Sequence, residues 1–206
     1  MSDKDIHNAE VKEKIIKAAI EEFAENGYKA ASTNSICKKA NVSKGLIYYY
    51  FKSKEEIYLN ALKFAIDRFK ENVSIEINEK DKFGIDYISE YFDTKFKFFR
   101  ENPLYSMLIV NSLAYYNLEG AIKLSEEFQN YNNNLIYEVI KSIDINPKFD
   151  REKAFELIKM IGEKLEEKHM KDVANKDRNS VIDEFRKDHK IMIEMVFEGI
   201  DKQKEE

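Results

Sequence analysis

Cysteine occurs once in this chain, proline twice and glycine six times, and tryptophan is absent. A single cysteine excludes an intramolecular disulfide framework and a zinc–thiolate cluster. So few glycines and prolines leave little material for the tight turns of a β-rich protein or for a flexible linker. No run of 18 apolar residues is present to span a bilayer, and no apolar segment with a cleavage site opens the chain. Catalytic signatures are missing too: there is no Ser/His/Asp or Cys/His arrangement, no glycine-rich phosphate loop and no metal-ligand spacing. What abounds is Lys, Glu, Ile and Leu, and the 43% of hydrophobic residues suffices for a packed core. The expectation is an all-α, soluble, cytoplasmic protein without cofactor, membrane association or enzymatic role.

A net charge of −5 argues at first against a nucleic-acid partner. Its distribution argues the other way. Residues 28–54 carry six lysines (Lys29, Lys38, Lys39, Lys44, Lys52 and Lys54) and no carboxylate. Removing that +6 from the total leaves −11 on the remainder. A basic island on an acidic body is the electrostatic footprint of a local phosphate contact.

Apolar periodicity predicts about nine helices. The first spans 11–26, with Ile15, Ile16, Ala19, Ile20 and Phe23 on one stripe and Gly27 past its end. Ser32 caps a second helix through Ile36, Cys37 and Ala40, and Ser43 caps a third over 44–50. Ser53 opens a fourth, to about Ile77, and Glu56 completes a capping box. Two short helices joined by a tight turn form a helix-turn-helix with Ile36, Ala40, Val42, Ile47 and Phe51 as its core. Longer amphipathic helices follow from residue 83, over 104–116, 119–143, 151–173 and 180–202. The domains read as 1–56 and 57–206, with helix 54–77 bridging them.

Tyr48, Tyr49 and Tyr50 sit in the third helix. With about 100° between residues, Ile47 and Phe51 share the core face, Tyr49 points directly away, and Tyr48 and Tyr50 flank it with hydroxyls able to reach outward. An outward tyrosine suits a major groove, against a thymine methyl or a base edge. Lys44 stands at the helix start, ready for phosphate, and Gly45 lets a backbone approach closely.

The stretch "IIKAAIEEFAENGYKAASTNSICKKANVSKGLIYYYFKSKEEIY", residues 15–58, resembles the DNA-binding domain of the tetracycline-repressor (TetR) family. The likeness lies in the first helix, the Gly27-Tyr28 break, the Val42-Ser43-Lys44-Gly45 turn, Tyr48-x-Tyr50-Phe51 and Ser53-Lys54-Glu55. It implies a homodimeric, effector-responsive regulator, usually a repressor, on palindromic double-stranded DNA. It also implies DNA contacts at Thr33, Asn34, Lys44, Leu46, Tyr48, Tyr49, Tyr50 and Lys54. Tyr49 stands where histidine is frequent and Leu46 where a small polar residue is common, which favours thymine methyls and an AT-rich operator. Cys37 stands where alanine is usual and reads as a small buried thiol rather than a redox sensor.

The remaining two thirds carry no motif, and the resemblance implies an effector-binding and dimerisation domain there. Aromatic stripes meet around Phe92, Phe96, Asn111, Tyr115, Phe128 and Tyr131, which suits a small hydrophobic or amphipathic effector, although an ordinary aromatic core has the same signature. The last helix is apolar nearly all round, and a helix of that kind needs burial on two sides. A partner subunit supplies one side in a four-helix bundle of Ala154, Ile158, Ile161, Leu165, Phe185, Met192, Val196 and Ile200. His169 and His189 lack a third ligand and read as interface packing or surface residues. Two alternatives stay open: a DNA-binding dimer without an effector, and a helical small-molecule carrier.

Overall fold

A computed structural model describes residues 3–73, 84–112, 118–142, 145–170 and 177–200. Among these residues there are nine α-helices and no strand, in agreement with the all-α expectation. Helix α1 is Asp3–Ala30, eight residues longer at its start than its apolar stripe requires. Its regular path breaks at Gly27, where φ is 68° and a side chain would be strained. The Ser32 hydroxyl accepts the Ser35 N–H at 3.1 Å and starts α2, Thr33–Ala40. Asn41 ends α2 in the left-handed conformation, at φ 49°. There the N–H of Val42 bonds to Cys37 O and that of Asn41 to Lys38 O, the paired closure of a Schellman turn. Ser43 then caps α3, Lys44–Tyr50. Ser53 accepts the Glu56 N–H at the start of α4, Lys54–Asn72, while the Glu56 carboxylate reaches back one residue further than a standard box, to the Lys52 N–H.

The chain forms two compact units, and they do not follow a boundary at residue 56. One unit comprises residues 1–71 and 102–128: α1 to α4, α6 (Pro103–Ser112) and the first part of α7 (Glu119–Ser142). The helix-turn-helix cannot bury its faces alone. Ile57, Tyr58, Ala61, Leu62 and Ala65 of α4 supply a wall that is fully buried. Phe23 of α1 meets Tyr58 edge to face at 5.1 Å. Helix α6 packs on α1, and Phe128 of α7 meets Phe69 of α4 at 4.9 Å. At Gly120 a Cβ would lie 2.6 Å from a Leu59 methyl, so the start of α7 approaches α4 closely because that residue lacks a side chain.

The other unit comprises residues 72–101 and 129–206, with α5 (Gly84–Glu101), the rest of α7, α8 (Arg151–Met170) and α9 (Arg178–Ile200). Helix α9 packs on both α5 and α8. Ile88, Phe92, Phe96, Val139, Ile158, Phe185 and Phe197 are buried there. Arg186 of α9 pairs with Asp93 of α5 at 2.7 Å on the exposed side.

Glu22 fastens α2 to α1. Its side chain is 4% exposed; Oε1 accepts the Ser32 N–H at 3.1 Å and Oε2 the Ser35 hydroxyl at 2.5 Å. Lys39 stands 3.7 Å away, held at 2.7 Å by Glu21 and by Glu25. Burial alone would raise the Glu22 pKa, but the bonds from Ser35 and Ser32 and the Lys39 charge outweigh it and hold the carboxyl below its ordinary 4.5. Such a group contributes its stabilisation fully above pH 4.5 and loses it as pH falls through the lowered folded-state value. Glu22→Gln should therefore lower the melting midpoint at pH 7, and the gap from the native chain should narrow toward pH 3. Leaving a buried partner unsatisfied costs about 1–3 kcal/mol. Thermal melts followed by circular dichroism across that range measure the gap; a pH-independent gap would exclude this linkage.

Candidate nucleic-acid interface

Helix α3 presents its residues as helical geometry dictates. Ile47 and Phe51 are buried at 0% and 1% exposure, and Tyr49 is 74% exposed. Tyr48 is exposed and Tyr50 half-buried. The three tyrosines therefore occupy three environments. Gly45 and Tyr49 are four residues apart and lie on one stripe. A Cβ at Gly45 would meet nothing nearer than Ser43 Oγ at 3.9 Å, so the protein's own packing does not require glycine there.

Of the sequence-predicted contact residues, Asn34, Lys44, Gly45, Tyr48 and Tyr49 are exposed, and Thr33, Leu46, Tyr50 and Lys54 are half-exposed. Two of them are already engaged within the protein. The Tyr50 hydroxyl, expected to reach outward, donates instead to Asn8 Oδ1 at 3.0 Å. The Lys54 ammonium donates to Lys29 O at 3.2 Å and stands 4.8 Å from the centre of the Tyr28 ring. Its neighbour is a carbonyl, so the positive charge is not cancelled. Lys39 is different. Burial would lower its pKa, yet hydrogen bonds to Glu21 and Glu25 raise it to about 12, and its charge is spent on α1. Lys29, Lys38, Lys44 and Lys52 are exposed. The basic island thus keeps five of its six charges for a partner.

Asn8 and Lys12 were not singled out in the sequence. Both lie on the first turns of α1 beside the end of α3, and the Lys12 ammonium is 5.7 Å from the Phe51 ring centre. A contact between residues 42 apart leaves no local signal. Cys37 is half-buried rather than buried.

The expected effector residues are shared between the two units. Asn111 and Phe128 belong to the first unit; Phe92, Phe96 and Tyr131 belong to the second; Tyr115 lies outside the described residues. Phe128 packs on Phe69, and the Tyr131 hydroxyl donates to Val73 O at 2.9 Å. Phe92 lies against His189, with ring centres 3.5 Å apart, and Phe96 against Phe185 at 5.0 Å. Phe92, Phe96 and Phe128 are buried and Tyr131 is half-buried.

The interface assignment also divides. Ala154, Ile158, Leu165 and Phe185 are buried within their own unit and are not available to a partner; Ile161 and Val196 are half-exposed and Met192 exposed. The Ile200 side chain lies outside the described residues. The outward apolar face consists instead of Leu157, Met160 (59% exposed), Ile191, Met192 and Met195 (67% exposed). The apolar stripe thus has a core half, at Ala154, Ile158, Leu165 and Phe185, and an exposed half. His189 is neither on the surface nor exposed for an interface: it is 2% exposed, its Nε2 has no hydrogen-bond partner, and burial with the nearby Lys95 charge pushes its pKa down to about 3. Among the described residues no cluster suited to a metal ion occurs and no helix is long and apolar enough to cross a membrane.

Residues 15–61 match the family model described as "Bacterial regulatory proteins, tetR family". The fatty acid metabolism regulator protein of Bacillus subtilis (strain 168) is 44% identical over 66 residues, 32% of this chain and 34% of that protein. The icaADBC negative transcriptional regulator IcaR of Staphylococcus aureus (strain Newman) is 33% identical over 81 residues, 39% of this chain and 43% of that protein. The matched part spans well under half of either relative. The fold extends further: the crystal structure of the regulator FadR from Bacillus subtilis in complex with stearoyl-CoA superimposes with a TM-score of 0.62. It covers 85% of this chain and 95% of that one at 23% identity.

The division of labour along α3 can be measured without a ligand. Ile47→Ala should cost about 2–5 kcal/mol of stability in urea denaturation, because it opens a cavity in the small core. Tyr49→Ala should stay within about 0.5 kcal/mol of the native chain, as is usual for an exposed side chain without partners in the core. Equal losses would show that Tyr49 is structural.

Proposed function

We propose that this chain, whose residues 15–61 match the family model of the tetR bacterial regulatory proteins, is a transcriptional repressor of that family that binds a palindromic, AT-rich operator as a homodimer. The observation that carries this reading is Tyr49, a large aromatic ring 74% exposed on a capped helix beside an unencumbered glycine. The Tyr49 ring gains no burial in the core from that arrangement, whereas a major groove can use it: the ring meets thymine methyls while the bare Gly45 admits the backbone. Lys44 opens the same helix, and Lys29, Lys38, Lys52 and Lys54 supply further charge for phosphates. Thr33, Asn34, Leu46 and Tyr48 complete the contact set. The named negative regulator among the relatives supports repression over activation.

Dimerisation through α8 and α9 follows from their outward face. Leu157, Met160, Ile161, Met192, Met195 and Val196 would meet their copies in a four-helix bundle, which removes an otherwise wet apolar surface. A small hydrophobic or amphipathic effector is the proposed signal, in line with the solved neighbour whose structure holds stearoyl-CoA. Such an effector acts only through different affinities for the operator-bound and free arrangements, a coupling of about 1–3 kcal/mol in typical cases.

Fluorescence anisotropy on a duplex from the region upstream of the gene tests the reading. Affinity should fall steeply as salt rises, and Lys44→Ala should reduce the logarithmic salt slope by about 1. Lys39→Ala should leave that slope unchanged, since its charge is already spent on Glu21 and Glu25. Binding that ignores salt would refute the proposal. Met195→Asp should convert the dimer to monomer in sedimentation and abolish operator binding with it; a dimer that persists would place the interface elsewhere.

A further inference from the structure

We propose that Asn8 is a positioning residue for sequence reading: it holds Tyr50, and the Tyr50 ring in turn sets the orientation of Tyr49. The inference rests on the DNA-reading role proposed for Tyr49 and adds to it a residue from outside the helix-turn-helix.

Consecutive residues of a helix project about 100° apart, so neighbouring side chains ordinarily diverge. Here the Tyr49 and Tyr50 rings meet edge to face, with centres 5.0 Å apart and planes at 85°. That is a favourable aromatic geometry, and it requires Tyr50 to stay where it is. Its hydroxyl is fixed by donation to Asn8 Oδ1 at 3.0 Å. Asn8 belongs to the opening turns of α1, which bury little for their own sake: Asp5, Ile6, His7, Ala9 and Glu10 are all exposed. What those turns do touch is the end of α3. Asn8 and Lys12, four residues apart and therefore on one face, meet Tyr50 and Phe51 respectively.

The functional consequence is entropic. A solitary exposed tyrosine samples several staggered rotamers, and DNA would have to select one. Immobilising such a side chain on binding typically weakens affinity about two- to ten-fold, a loss that prior orientation avoids. Tyr50 on this account acts through Tyr49, and its hydroxyl stays on Asn8 when the operator is bound.

The test uses the full-length chain and a duplex that the native protein selects from a randomised pool. A companion set replaces single thymines by deoxyuracil, which removes only the methyl group. Asn8→Ala and Tyr50→Phe should each weaken specific binding about two- to ten-fold. Both should also flatten the discrimination between thymine and deoxyuracil, with affinity for random duplex and the melting midpoint little changed. The double variant should lose no more than either single one, because both break the same bond. Asn8→Asp keeps an acceptor for the Tyr50 hydroxyl and should keep the thymine preference, even as its negative charge weakens binding to every duplex alike. Native thymine preference in Asn8→Ala, or additive losses in the double variant, overturns the inference and leaves the DNA-reading role standing. A native chain that binds no duplex in a salt-dependent way fails the underlying role, and the inference falls with it.

Discussion

Everything that presents α3 to a partner depends on how α2 is fastened to α1, and that joint is a buried carboxylate. Glu22 takes the backbone N–H of Ser32 and the hydroxyl of Ser35, so the first turn of α2 is satisfied from α1 as well as by its own cap. Among the described residues it is the one buried carboxylate, and a buried charge of this kind persists only when its acceptor sites are filled. From there each joint is hydrogen-bonded. The Schellman closure at Asn41 stops α2, and the Ser43 cap starts α3 three residues later. With both turns closed, the direction of α3 has little freedom left.

On α3 stability and recognition make opposite demands, and the residues separate them. Ile47 and Phe51 serve the core. Tyr49 leaves most of its ring in water, against a hydrophobic driving force of about 25 cal/mol per Å². A helical glycine at position 45 costs about 1 kcal/mol relative to alanine, and a Cβ there would meet only Ser43 Oγ at 3.9 Å. Two choices that add little to stability stand on one stripe, and the proposed DNA contact would account for both. Lysine placement follows the same division: Lys39 is bound to α1, while Lys44 remains exposed.

The second unit combines a tight aromatic core with an uncovered apolar face. Phe92, Phe96 and Phe185 close around His189, whose imidazole stays neutral because burial and Lys95 oppose its protonation. Leu157, Met160, Met192 and Met195 face the other way. Methionine suits such a surface, since its flexible thioether adapts to whatever packs against it.

Local chemistry was legible in the sequence wherever one residue decides one joint. Ser32, Ser43 and Ser53 mark helix starts, Gly27 the break in α1, and Ile47 with Phe51 fixes by arithmetic which way Tyr49 points. The apolar stripe of α9 likewise showed apolar residues on two sides of the helix. Which half of that stripe faces its own core was decided only in three dimensions, because periodicity gives relative angles around a helix and no absolute direction. Nor does periodicity tell whether Phe92, Phe96 and Phe128, all buried, line a core or a pocket. Sequence spacing is equally silent on Asn8 with Tyr50 and on Lys39 with three glutamates of α1. Those pairings join residues far apart in the chain, and only the packing of α1 against α2 and α3 brings their atoms within bonding distance.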